Sequence, residues 1–98
     1  MEQTRKLIEE EGVLFTFKAL GTPRNVAVQK YLNSKGVPQL FVSSGTSRWG
    51  DPAHFPWTMG WAPTHRAEGI VYGKYILKNM PAAKIAVLYQ NDDSARTS

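Results

Sequence analysis

Short β-like runs alternate with helix-like stretches along the hydrophobic and polar pattern of the chain. Residues 13–18 and 38–43 are rich in β-branched and aromatic side chains, as strands are. Residues 84–90 form a continuous apolar run, which is typical of a central parallel strand. Apolar spacing predicts helices over 24–35 and 65–79, after a short amino-terminal helix. Strands that alternate with helices predict an α/β fold with a parallel sheet.

Glycine, proline and threonine mark the ends of these predicted elements. Thr22 and Pro23 fit the cap and the first residue of the second helix, and Gly36 fits its end. Thr64 fits the cap of the third helix. Large apolar residues alternate with small or polar ones over residues 55–61, which predicts a further extended segment packed against the helices.

The amino-acid composition excludes several classes of protein. The chain has 98 residues, enough for one small domain, and 42% of them are hydrophobic, which excludes a disordered tail. It has no cysteine, so a disulfide framework, a zinc knuckle and a thiol nucleophile are excluded. The net charge is +4, but the basic residues are scattered singly, and this pattern does not favour a nucleic-acid partner.

Two polar loops follow predicted strands, at the edge where parallel α/β sheets bind ligands. The first contains Gly21 and Thr22, next to a helix start whose N–H groups favour an anion such as a carboxylate. The second loop offers hydroxyls and a glycine: Ser43, Ser44, Gly45 and Thr46. Each loop alone is an ordinary cap or turn. Their joint position predicts a polar cleft for a small molecule.

Sequence signals for phosphate binding, metal binding or catalysis are weak. Neither phosphate-loop fingerprint occurs, and His54 and His65 lack the spacing of a metal motif. His65 and Glu68 share one helical face, which we interpret as surface structure rather than a metal site. No Ser-His-Asp arrangement follows from spacing. The sequence therefore predicts a protein that is not an enzyme and has no catalytic residues, metal or cofactor; a flavodoxin-like enzyme is the least favoured alternative.

Several longer stretches resemble a known family. The segments GVPQLFVSSGTS, FPWTMG and IAVLYQNDD resemble the leucine/isoleucine/valine-type solute-binding proteins of ABC transporters, and the likeness extends over residues 4–93. This resemblance implies a parallel-sheet fragment of a type I periplasmic-binding-protein-like fold. It also implies a protein that traps an amino acid, or a related small acid or amide, between two lobes and delivers it to an ABC permease.

The resemblance also implies a division of the chain and a set of ligand contacts. Residues 1–60 resemble the later part of the first lobe, 61–64 the crossover, and 65–98 the opening of the second lobe. In the family, the turn matching Thr22 contacts the charged groups of the ligand, often through a hydroxyl. The turn matching residues 43–46 supplies further contacts; its Gly45 stands where many members have Thr, and Thr46 is expected to take over.

The chain resembles only part of a family member, so the resemblance implies a truncated protein. After QNDD the family continues with an aromatic residue and glycine, whereas residues 94–98 differ here. An incomplete second lobe implies little or no binding by this chain alone, since closure needs two rigid bodies. The intact family is periplasmic, but residues 1–11 lack the apolar segment of a signal peptide, which leaves the cytoplasm open. The alternative is a small α/β binding or regulatory module that acts as a homodimer through unpaired sheet edges.

Overall fold

The computed structural model describes residues 1–92 as a small α/β structure; residues 93–98, which include the divergent ending, lie outside the described residues. The predicted helices at 24–35 and 65–79 are confirmed. The elements are α1 (Glu2–Glu9), β1 (Thr16–Phe17), α2 (Thr22–Lys35), β2 (Gln39–Val42), a 3-10 helix (Ser47–Gly50), β3 (Thr58–Gly60) and α3 (His65–Asn79).

The three strands form one parallel sheet in the order β1-β2-β3. Thr16 pairs with Gln39, which in turn pairs with Thr58, so the predicted parallel pairing is confirmed. The register between β2 and β3 shifts before Val42. Phe41, inside this irregular part, has a left-handed φ of 51°. Bulges of this kind bend a strand and re-aim the residues that follow it, here the turn after β2.

The face of α2 that packs on the sheet is mostly polar. Among the described residues, the buried apolar side chains are Leu32, Val37, Val42 and Trp49. The buried positions of α2 itself are Thr22, Asn25, Gln29 and Leu32. Hydrogen bonds therefore hold this helix to the sheet as much as apolar burial does. A core with so few apolar residues predicts marginal stability.

Two sequence predictions about apolar segments are wrong. Residues 84–90 form no strand, because no strand among the described residues supplies hydrogen-bond partners for the backbone of this segment. Leu88, within it, is fully exposed. The extended segment predicted at 55–61 does contain β3, but its large side chains do not form a core: Trp57, Met59 and Trp61 are all exposed. Strand β1 is also shorter than predicted, although Leu20 makes an isolated parallel bridge to Ser43 beyond its end.

Helix α3 packs loosely, and none of its residues is buried. The radius of gyration is 16.7 Å, whereas a compact chain of this length has about 13 Å. Phe41 makes edge-to-face aromatic contacts with Phe17 and Trp61, with ring centroids 5.6 and 5.9 Å apart. The structure thus leaves large apolar surfaces open to solvent.

A surface contact links α1 to α2 and carries a pH prediction. Tyr31 donates a 2.7 Å hydrogen bond to the Glu9 carboxylate, and Lys35 Nζ lies 3.7 Å from the same oxygen. The hydrogen bond from Tyr31, helped by the positive charges of Lys35 and Arg5, lowers the pKa of Glu9. The same bond raises the pKa of Tyr31. This contact therefore stabilises the fold at neutral pH and is lost as the pH falls through the lowered pKa of Glu9.

We expect Tyr31→Phe to raise the pKa of Glu9 toward its ordinary value, because the variant removes the principal hydrogen-bond donor. An NMR titration of the Glu9 side-chain carboxyl measures this directly. Tyr72→Phe, which changes an exposed tyrosine of α3, should leave the pKa of Glu9 where it is. A Glu9 pKa that is the same in Tyr31→Phe as in the unchanged chain would contradict the contact.

Candidate functional site

The two polar loops meet at the carboxyl edge of the sheet, where sequence reasoning expected them. The backbone joins them first: Ser43 N donates to Ala19 O at 3.0 Å, and Gly21 N donates to Ser43 O at 3.3 Å. Gly21 has a φ of 95°, a conformation that favours glycine, and it stands immediately before α2. The turn from β1 into the 14-residue helix α2 is therefore held against the turn after β2.

Thr22 and Ser44 bring their hydroxyls together across the two loops. Thr22 Oγ1 and Ser44 Oγ share a hydrogen bond of 2.5 Å. Thr22 was predicted to cap α2, and this is wrong: Gly21 occupies the cap position, and no side chain caps this helix end. The Thr22 hydroxyl is turned to Ser44 instead. Thr22 is only 3% exposed and Ser44 is half-buried, so Ser44 presents the pair to solvent. A hydroxyl pair both donates and accepts, which suits a ligand with a carboxylate or an amide group.

A buried polar network lies beneath this hydroxyl pair. Asn25 Nδ2 donates to the carbonyls of Ala19 (2.9 Å) and Gly21 (2.7 Å), and Asn25 Oδ1 accepts from Gln39 Nε2 at 3.0 Å. Thr58 Oγ1 then donates to Gln39 Oε1 at 3.0 Å. The network runs from the first loop through β2 to β3, and it fixes the loop that carries Thr22. Asn25 was not predicted from the sequence, because a lone asparagine in a helix has no distinctive spacing.

The turn after β2 is covered by the beginning of α3. His65 N donates to Gly45 O at 2.6 Å, and the imidazole of His65 lies directly over Gly45. Thr46 is buried, and its hydroxyl accepts from Arg48 N at the start of the 3-10 helix. Of the five predicted site residues, the structure therefore joins Thr22 to Ser44, places Ser43 in the backbone link, and sets Gly45 beneath His65. Thr46 faces the 3-10 helix.

A shallow groove of about 330 Å³ runs beside the first loop. Its lining consists of Leu20, Gly21, Pro23, Arg24, Gln90 and Asp92. Arg24 brings a positive charge to this groove within two residues of the Thr22 hydroxyl. Asp92 brings a negative charge to the same groove, so its two charges balance, and the start of α2 is the feature of this edge that favours a small anion.

Residues 1–92 contain neither a metal-ligand cluster nor a helix able to span a membrane. No three His, Asp or Glu side chains in this range lie close enough together to hold a metal ion. No helix within it is long and apolar enough to cross a membrane.

Comparisons with known proteins identify the family. Searches of curated proteins and of solved structures returned no significant match. The family model described as "Periplasmic binding protein" matches residues 1–98. This match covers the whole chain and agrees with the parallel sheet, so the chain belongs to the periplasmic binding protein family.

Proposed function

We propose that this chain forms one wall of the ligand site of a solute-binding protein that serves ABC-type uptake of amino acids or related small acids and amides. The observation that carries the proposal is the hydroxyl pair of Thr22 and Ser44, which joins two loops at the carboxyl edge of a parallel sheet. Family membership supports a solute-binding role. In this proposal residues 1–60 belong to a first lobe, 61–64 to the crossover and 65–98 to a second lobe.

The chemistry of this edge supports a carboxylate-bearing ligand. Hydroxyl and backbone N–H donors bind an anion without a full counter-charge, and the adjoining groove holds the cation of Arg24 together with the carboxylate of Asp92. The adjoining groove is open and shallow, so a bound molecule would keep much of its hydration. In this proposal, the carboxyl edge of the sheet binds the acid group of the ligand and does not enclose the ligand's side chain.

An open site of this kind predicts weak binding by the chain alone. A neutral hydrogen bond that competes with water contributes about 0.5–1.5 kcal/mol. A few such bonds, set against an association cost of at least ~4 kcal/mol, leave little net free energy. Dissociation constants of about 1 mM or weaker are the expected result for aliphatic amino acids. Tight binding would need a second lobe to close over the ligand.

Titration calorimetry with leucine, valine, phenylalanine and benzoate tests the proposed function. We expect millimolar binding that weakens about tenfold or vanishes in Thr22→Val, because the variant keeps the shape of the side chain and removes its hydroxyl. Thr16→Val is the matched control. Thr16 is the first residue of β1, before both loops of the site, and this variant should bind as the unchanged chain does. Binding that is unaffected by Thr22→Val would contradict the site. A micromolar constant that Thr22→Val abolishes would instead show a closed site.

A second function is supported by the exposed surfaces. Ile70 and Leu77 are 50% and 72% exposed on α3, and Trp61, which contacts Phe41, is 62% exposed. Apolar surface of this extent is typical of an interaction site. We therefore keep as the alternative function a small α/β binding or regulatory module that works as a homodimer.

A further inference from the structure

Residues 84–90 combine the composition of a β-strand with an exposed position on the molecule. They include Ile85, Val87 and Tyr89, which are of the β-branched and aromatic types that strands favour, and all three side chains are exposed. Within the described part of the chain, residues 84–89 make no backbone hydrogen bond. The segment therefore presents both apolar side chains and backbone hydrogen-bonding groups to a partner.

Both sides of this segment are open. Successive side chains of a strand point to opposite faces, so a strand conformation turns the neighbours Val87 and Leu88 to opposite sides. Val87 is 78% exposed and Leu88 is fully exposed. The described part of the chain covers neither side, and a strand from a second copy therefore has access to the segment.

The sequence of the segment is complementary to itself about Val87. In an antiparallel pair centred on this residue, Val87 stands opposite Val87 of the second copy, and Ile85 stands opposite Tyr89. A β-branched residue opposite an aromatic one is a favourable cross-strand pair. Lys84 then faces the uncharged Gln90, whereas a parallel pair in register would bring the two Lys84 charges together. The sequence thus favours antiparallel pairing between two copies.

We propose that residues 84–90 are a homodimer interface, in which the segment pairs antiparallel with the same segment of a second copy about a twofold axis at Val87. A second copy supplies the strand that this segment lacks in its own chain, and twofold pairing is the commonest symmetry of protein dimers. The exposed apolar residues of α3, which ends at Asn79, belong to the same interface in this proposal. The inference rests on the homodimer that we keep as the alternative function, and it is independent of the proposed ligand site.

Disulfide cross-linking tests the pairing directly, because the chain has no cysteine of its own. Val87→Cys places two thiols opposite each other across the proposed axis, within the Cα separation of about 4.4–6.8 Å that a disulfide requires. Ile85→Cys is the matched control on the same face of the strand. The same axis keeps its two thiols about 13 Å apart along the strand, which is too far for a disulfide.

In a buffer of oxidised and reduced glutathione, Val87→Cys should form a covalent dimer at least tenfold faster than Ile85→Cys. Reducing gel electrophoresis should return the product to single chains. Equal rates for the two variants would overturn the proposal, because they would show a different register or pairing with another part of the second copy.

A charge substitution tests whether the same residue holds the dimer together. Val87→Lys brings two like charges opposite each other, so sedimentation velocity should show association at least tenfold weaker than that of the unchanged chain. The midpoint of urea unfolding at low protein concentration should stay the same, because Val87 is exposed in the single chain. Leu14→Lys makes a matched change at another exposed residue and should leave association unaltered.

The outcomes separate this interface from the homodimer in general. If the unchanged chain dimerises as strongly as Val87→Lys does, the interface at 84–90 is overturned and the homodimer stands. If the unchanged chain stays a monomer at high concentration, both fail. Preferential cross-linking of Val87→Cys, together with weaker association of Val87→Lys, supports the assignment.

Discussion

Asn25→Ala should lower the free energy of unfolding by about 2–4 kcal/mol, the largest stability effect we expect from a single substitution in this chain. The variant removes two donated bonds, to Ala19 O and Gly21 O, and leaves Gln39 Nε2 without its 3.0 Å acceptor. Asn25 is only 1% exposed, so water cannot readily replace these bonds. A loss of this size is a large fraction of the stability of a small domain, so the variant should unfold at a clearly lower urea concentration. Urea unfolding followed by circular dichroism measures the change.

Asn79→Ala is the matched control for this prediction. Asn79 also donates a hydrogen bond through Nδ2, to Tyr75 O at 2.9 Å, but it does so at the exposed end of α3. Its replacement should change the free energy of unfolding by less than about 0.5 kcal/mol. Equal effects of the two substitutions would contradict the view that the network beneath Thr22 holds the sheet and α2 together.

Self-association is the second large effect that we expect. None of the residues of α3 is buried, and both Ile70 and Leu77 lie on its surface. Burial of one such side chain contributes roughly 1.5–3 kcal/mol, and a symmetric pair of helices would bury both residues from each copy. Sedimentation velocity over a range of concentrations should therefore show a dimer or a larger species.

A charged variant tests which surface is responsible. The double variant Ile70→Glu with Leu77→Glu should shift the chain to a monomer, because association would bury the new carboxylates. Leu7→Glu with Leu14→Glu makes the same change on two exposed leucines elsewhere and should keep the association. A monodisperse monomer of the unchanged chain at high concentration, without binding of a hydrophobic dye, would contradict the prediction.

The fold could be predicted from the sequence where local signals and packing agree. The bounds of α3 follow from the Thr64 cap and the proline after Met80, and α2 ends at Gly36 in a left-handed conformation. The strand predicted at 84–90 failed for a physical reason. An apolar run indicates a tendency to form a β-strand, but the strand forms only where a neighbouring strand supplies hydrogen-bond partners for its backbone.

The candidate site could be predicted in outline but not in its contacts. The order of helices and strands along the chain, together with composition, was sufficient to place Thr22 and residues 43–46 at one edge of the sheet. The polar face of α2 was not predictable, because the buried Asn25 and Gln29 fall at helical spacing without the apolar character that marks a core. The approach of His65 to Gly45 joins residues 20 apart, and only the course of the chain from β3 to α3 brings them together.

The central claim is that the two loops at the carboxyl edge form a binding surface for a small acid. An NMR titration of the ¹⁵N-labelled chain with leucine tests it most directly, because each backbone amide reports its own surroundings. We predict chemical-shift changes at Thr22, Ser44, Gly45 and Thr46 that follow one common millimolar binding curve. Amides at these four positions that stay unchanged, while amides elsewhere in the chain shift, would contradict the claim.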